Sequence, residues 1–203
     1  MAYINAAFRS SRINEVYLFV KNEYVLVNYA PGTKDDKTVL LGLIIRIKHS
    51  SGNLCAQINY APHTANDRII TRPMTITAMF PFFKGTVFEN GVDTAFESTK
   101  NYEAYLFKDN QYALINYDYD SHLISIRLIN RGFPSLKNTI FESGIDAGFS
   151  LHKTNEAYLF KGDYYARINF APGTTDDYIT GGIKKILTYW PSLRSILPLK
   201  NSG

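Results

Sequence analysis

Short apolar runs bounded by polar and turn-forming residues recur along this chain, and they recur at fixed distances. Three segments open alike: Ile4-Asn5-Ala6-Ala7-Phe8, Val92-Asp93-Thr94-Ala95-Phe96 and Ile145-Asp146-Ala147-Gly148-Phe149. Ten residues beyond the polar residue of each opener stands a glutamate, Glu15, Glu103 and Glu156, and twelve beyond it begins Tyr-Leu-Phe, at Tyr17, Tyr105 and Tyr158. Nineteen residues on come Tyr24, Tyr112 and Tyr165, and twenty-three on come Asn28, Asn116 and Asn169, each followed by an aromatic residue. Between the Phe and the Tyr lie Val20-Lys21-Asn22-Glu23, Lys108-Asp109-Asn110-Gln111 and Lys161-Gly162-Asp163-Tyr164, whose Asn, Asp and Gly suit a tight hairpin. Aromatic-rich runs favour strands, so the unit reads as strand, strand, hairpin, strand.

Each unit also has a tail that ends in an aromatic-Pro pair, at Phe80-Pro81, Phe133-Pro134 and Trp190-Pro191. Before the last of these, Ile183, Ile186, Leu187 and Trp190 fall at helical spacing and proline then stops the run, which predicts a short outer helix closing each unit. Asn90-Gly91 and Ser143-Gly144 supply the turn into the next opener.

A fourth unit is visible in Asn59-Tyr60-Ala61-Pro62, which matches Asn28-Tyr29-Ala30-Pro31 and Asn169-Phe170-Ala171-Pro172. Its head is defective. Asn28 to Asn59 is 31 residues, whereas Asn59 to Asn116 is 57 and Asn116 to Asn169 is 53, so 22 to 26 residues are missing, and Asp36 stands where the opener should be. In the gap, Leu43 to Lys48 predicts one strand and His49 to Asn53 a turn, so the second unit is expected to lack its innermost strand. A few antiparallel strands cannot bury both faces alone, and radial repetition around a central channel solves that problem. The expectation is an all-β chain forming one propeller over residues 1–203, with units 1–42, 43–86 (truncated), 87–138 and 139–197.

Composition changes this picture little. Aromatic residues reach 14%, which supports strands, while a net charge of +4 without any run of basic residues points to neither nucleic acid nor an anionic membrane. Cys55 is alone, so it reads as a small buried hydrophobe in a reducing compartment. The first residues lack the charged start and apolar stretch of a secretory signal, and no run approaches a membrane span, which predicts a soluble intracellular protein. No phosphate loop, dinucleotide fingerprint, zinc-protease helix or serine elbow occurs, so an enzyme is not expected. Asp35-Asp36 and Asp176-Asp177 both follow Ala-Pro-Gly-Thr and read as turn residues rather than catalytic pairs.

The openers, the Glu-Ala-Tyr-Leu-Phe-Lys-Gly-Asp run from Glu156, and the Phe-Pro-x-Leu tail resemble the hemopexin-like repeat, and closely its legume seed albumin-2 group. That resemblance covers nearly the whole chain. It implies a four-bladed propeller with short outer helices and a channel holding calcium, with sodium and chloride. The metal would be held by the main-chain carbonyls of Asn5, Asp93 and Asp146, and a second ring would involve Val16, Ala104 and Ala157. A hard cation accepts six to eight oxygens, carbonyls included, so Asn5 serves beside two aspartates. The resemblance further implies a cytosolic seed protein able to dimerise, with spermine or haem as ligand and a role in polyamine or oxidative-stress response. The haem ligand would be one of His49, His63, His122 and His152, none of which stands in a motif. The glutamates at the second strand are open to two readings, raising the channel's negative potential or capping strands. The competing function is a storage or protein-interaction module, with carbohydrate binding neither supported nor excluded.

Overall fold

The computed structural model describes residues 4–10, 12–20, 23–29, 37–43, 53–59, 68–152, 154–195 and 197. Each opener becomes a four-residue strand that pairs with the Glu-started strand after it. The first sheet runs in order through β1 (Ala6–Arg9), β2 (Glu15–Val20), β3 (Glu23–Asn28) and β4 (Lys37–Leu43). After β5 (Leu54–Asn59) and β6 (Arg68–Thr75), the third unit supplies β7 (Thr94–Glu97), β8 (Glu103–Lys108), β9 (Gln111–Asn116) and β10 (His122–Leu128). The last supplies β11 (Ala147–Ser150), β12 (Glu156–Lys161), β13 (Tyr164–Asn169) and β14 (Tyr178–Lys185). The chain is thus all-β, in four antiparallel sheets.

The hairpins form where the turn residues stand. Two-residue loops join β8 to β9 and β12 to β13, and their first residues, Asp109 and Gly162, take φ of 52° and 58°. Only short polar residues and glycine enter that left-handed region cheaply.

The expectation of the outer helix needs correcting. A fourth strand, β4, β10 or β14, fills most of each complete tail, and the helix after it is one turn long: α1 (Ile76–Met79), α2 (Ile129–Gly132) and α3 (Ile186–Tyr189). Ile183 belongs to β14, where it is partly exposed, because that stretch keeps pairing with β13 as far as Lys185. Each helix gives way to a 3-10 turn at its proline, at Pro81–Phe83, Pro134–Leu136 and Pro191–Ser195. The second sheet has two strands among the described residues, β5 and β6, which correspond to the third and fourth strands of the other sheets. Leu43 ends β4, while residues 44–48, Asp36, most of the following turn and Tyr60-Ala61-Pro62 lie outside the described residues.

The core lies between sheets rather than within them. Successive side chains of a strand point to opposite faces, so the Ala-Tyr-Leu-Phe run divides. Tyr158 and Phe160 pack with Val16, Leu18 and Tyr29 of the first sheet, whereas Ala157 and Leu159 pack with Tyr105 and Phe107 of the third. Leu106 in turn faces Ile76, Phe83 and Phe88 beside the second sheet. Ring pairs such as Tyr29–Phe149 at 5.1 Å and Phe96–Phe170 at 5.4 Å cross these seams. Phe96 and Phe149 are 4% and 1% exposed, but their counterpart Phe8 is 37% exposed. Phe8 instead stacks on Tyr17 of its own sheet, at 4.8 Å.

Asp177 adds a polar lock between the third and fourth sheets: its carboxylate accepts from the backbone N–H and the hydroxyl of Ser135. The second aspartate of that pair is therefore more than a turn residue. Burial raises its pKa, and the Ser135 bonds oppose that shift. A carboxyl raised above its unfolded value of about 3.9 stabilises most when protonated, and that contribution is lost as pH rises through the folded pKa. Chemical denaturation as a function of pH should therefore show the parent losing ground to Asp177→Asn as pH rises from about 4 toward neutrality. A constant difference would contradict this.

Gly132 tests the packing itself, because a Cβ there would lie 2.1 Å from the Tyr112 hydroxyl oxygen. Gly132→Ala should cost about 1–3 kcal/mol, read as a lower urea midpoint. An unchanged midpoint would show that the seam is looser than described.

Candidate channel site

The three opening strands meet: β11 packs against both β1 and β7, and β1 also reaches β7. Each opener's polar residue sits just before its strand and donates its backbone N–H to a phenylalanine carbonyl on the second strand. The bonds are Asn5 to Phe19 at 2.8 Å, Asp93 to Phe107 at 2.8 Å and Asp146 to Phe160 at 2.9 Å. The repeat therefore presents three equivalent peptide units at one end of the meeting strands.

The aspartate side chains are committed elsewhere. Asp93 accepts from the Asp109 N–H at 2.8 Å and from Lys108 Nζ at 2.8 Å, while Asp146 accepts from the Gly162 N–H at 2.8 Å. Both bonds close the hairpin sixteen residues on. The bond to Asp93 raises the pKa of Lys108, whereas burial lowers that of Lys161 despite the nearby Asp146 and Asp93. The carbonyls are differently placed: among the described residues no backbone amide donates to the carbonyl of Asp93 or Asp146. Those oxygens suit a hard cation, which takes carbonyl ligands readily. No group of three or more His, Cys, Asp or Glu side chains could share a metal among the described residues. A cation here would rest on the backbone.

Val16, Ala104 and Ala157 lie apart from the openers. They start on the second strand of each sheet and pair with Arg9, Glu97 and Ser150, at the far end of the opening strands. Val16 and Ala157 are fully buried in two different seams. A ring formed by them would be a second one, separate from that of Asn5, Asp93 and Asp146.

That far end holds a cavity of about 510 Å³ lined by Phe8, Arg9, Glu97, Phe149 and His152 among others. Its polar groups already pair with one another. Arg9 donates to Glu97 at 2.5 Å and to the Leu151 carbonyl at 2.9 Å, and Tyr117 donates to Glu97 at 3.1 Å. His152 places Nε2 2.7 Å from the Ser10 carbonyl, so that nitrogen carries the proton, and Nδ1 3.4 Å from the Tyr29 hydroxyl. Burial pushes the Tyr29 hydroxyl up to about 12, which keeps it neutral at physiological pH. Haem ligation by His152 would have to break one of these contacts. His122 is exposed with Nδ1 3.0 Å from the Asp120 carbonyl, and His49 and His63 lie outside the described residues. Cys55 is half-buried, its Sγ 3.6 Å from the Met79 sulfur, and burial raises its pKa. No helix among the described residues is long and apolar enough to cross a membrane.

The Hemopexin family model matches residues 145–195, the last opener to the last proline turn. Albumin-2 of Pisum sativum is 50% identical, with 98% of each chain covered. That alignment runs over 226 positions against 203 residues here, a difference of the size that the repeat arithmetic assigns to the second unit. A plant lectin with two metal binding sites from Cicer arietinum superposes with a TM-score of 0.90 at 53% identity, covering 98% of this chain and 100% of the lectin. The hemopexin fold protein CP4 from cow pea gives 0.90 at 46%, with the same coverage. With its repeat, its sheets and these relatives in agreement, the chain belongs to the hemopexin-repeat family and, within it, to the albumin-2 group of legume seed proteins.

Proposed function

We propose that this protein is a non-enzymatic albumin of the seed cytosol, folded as a four-bladed propeller with a truncated second blade. Its channel binds calcium on the main-chain carbonyls of Asn5, Asp93 and Asp146, with sodium and chloride as companions elsewhere along the channel. The observation that carries this reading is the division of labour at the openers. Their carboxylates close the hairpins, and the Asp93 and Asp146 carbonyls are left without an amide donor among the described residues. The two metal sites of the Cicer arietinum lectin support an ion in this fold. Val16, Ala104 and Ala157 are one strand removed from the openers, so the proposal rests on the openers alone. Haem ligation by His152 would have to displace its contact with Ser10 or Tyr29. The name albumin favours a second reading, a seed reserve or interaction module without a small ligand.

Calorimetric titration with calcium separates the two, because a reserve protein shows no saturable heat. Asp93→Asn and Asp146→Asn should keep calcium affinity within about threefold while costing about 1–2 kcal/mol of stability, since an amide oxygen still accepts the hairpin N–H but without the charge. Absence of saturation in the parent, or loss of calcium binding in either amide variant, would reject carbonyl coordination.

A further inference from the structure

Where the second unit meets the third, an apolar cavity of about 270 Å³ is lined by Cys55, Ile76, Phe80, Val92 and Leu106 among others. One unit further on, Tyr112, Ile129, Phe133, Ile145 and Leu159 stand at the same places in the repeat. There they enclose three rings, Tyr105 and Phe107 of the second strand and Phe96 of the opener. The cavity lies where the counterparts of those rings belong, and the second unit has no opener to supply one of them.

Exposure follows the same pattern. Phe133 and Ile145 are 1% and 2% exposed, whereas their counterparts Phe80 and Val92 are only half-buried. The aromatic residue after each third strand repeats the comparison. Tyr29 is covered by Phe149 and Tyr158 of the fourth unit, at 5.1 and 5.9 Å, and Phe170 by Phe96 and Tyr105 of the third, at 5.4 and 5.7 Å. Tyr117, at the same place in the third unit, is 40% exposed.

The backbone beside the cavity sets the class of occupant. β3, β9 and β13 each pair with two strands, but β5, which stands at their place, pairs among the described residues with β6 alone. An extended peptide adds to such an edge through main-chain hydrogen bonds, with alternate side chains entering pockets. The complete sheets give its register: Phe19, Phe107 and Phe160 stand opposite Tyr24, Tyr112 and Tyr165. In that register a strand on β5 sets one ring opposite Cys55 and another, two residues earlier, opposite Gln57 on the same face. We propose that β5 and this cavity dock an extended segment of a partner protein that reads aromatic-x-aromatic. Its second ring fills the cavity against Leu106, and its first covers Tyr117.

The probe is the capped peptide Glu-Ala-Tyr-Leu-Phe-Lys, the sequence shared by β8 and β12, titrated into the full chain with chelator present so that the result stands apart from calcium at the openers. Binding should saturate at one peptide per chain, and a peptide with serine in place of both rings should not bind. Tyr117→Ala should weaken binding about three- to tenfold, the loss of one aromatic pair. Cys55→Phe, which fills the cavity from β5, should abolish binding with the thermal midpoint at or above the parent's. A peptide with cysteine in place of its Phe tests the register, because opposed Cα atoms lie about 4.5–5.5 Å apart, within the span of a disulfide. In glutathione buffer it should couple to Cys55, glutathione disulfide being reduced as the two thiols are oxidised. Cysteine in place of the peptide's Leu points to the other face and should leave Cys55 free. The proposal is overturned if the peptide does not saturate, if the serine peptide binds equally, if both protein variants bind as the parent does, or if both cysteine peptides couple alike. Sedimentation showing a protein dimer that the peptide splits would also overturn it, by assigning the edge to a second copy.

Discussion

A four-stranded sheet with apolar side chains on both faces is unstable by itself, and that constraint organises this protein. In β12 the alternation of Ala157, Tyr158, Leu159 and Phe160 sends small residues to one seam and aromatic rings to the other. The repeat therefore carries its own complementarity: the Tyr-x-Phe face of one unit needs the Ala-x-Leu or Val-x-Leu face of the next. Burying one such ring contributes about 1.5–3 kcal/mol, so a seam of several rings outweighs any polar contact across it. Asp177 with Ser135, and His152 with Ser10, fix how the sheets sit against one another more than they hold them together.

The same constraint shows at the opener phenylalanines. Phe96 and Phe149 are covered by Phe170 and Tyr29 of neighbouring units, whereas Phe8 keeps more than a third of its surface in water. The opening strands β1, β7 and β11 still meet, so three openers remain grouped although the second unit has no opener. A site made of main-chain carbonyls tolerates such a loss better than one made of side chains, because hard cations accept water in place of a missing oxygen.

Much of this was legible in the sequence, and the failures have specific causes. Offsets from Asn5, Asp93 and Asp146 placed the second and third strands and their hairpins, because a repeat fixes register as well as element type. The helix was drawn too long, since Ile183 and Ile186 have the spacing of a helical face although Ile183 belongs to a strand. Asp177 was hidden for a different reason: its partner Ser135 is 42 residues away, across a seam.

The central claim is that cation binding in this fold is a property of the backbone at the openers, with the Asp93 and Asp146 carboxylates serving the hairpins. Anomalous diffraction from a crystal grown in calcium tests it most directly. The account predicts a peak among the opening strands, coordinated by the carbonyl oxygens of Asn5, Asp93 and Asp146, with the Asp93 and Asp146 carboxylates still bonded to Asp109 and Gly162. A peak coordinated by those carboxylates, or no peak among the opening strands, would contradict it.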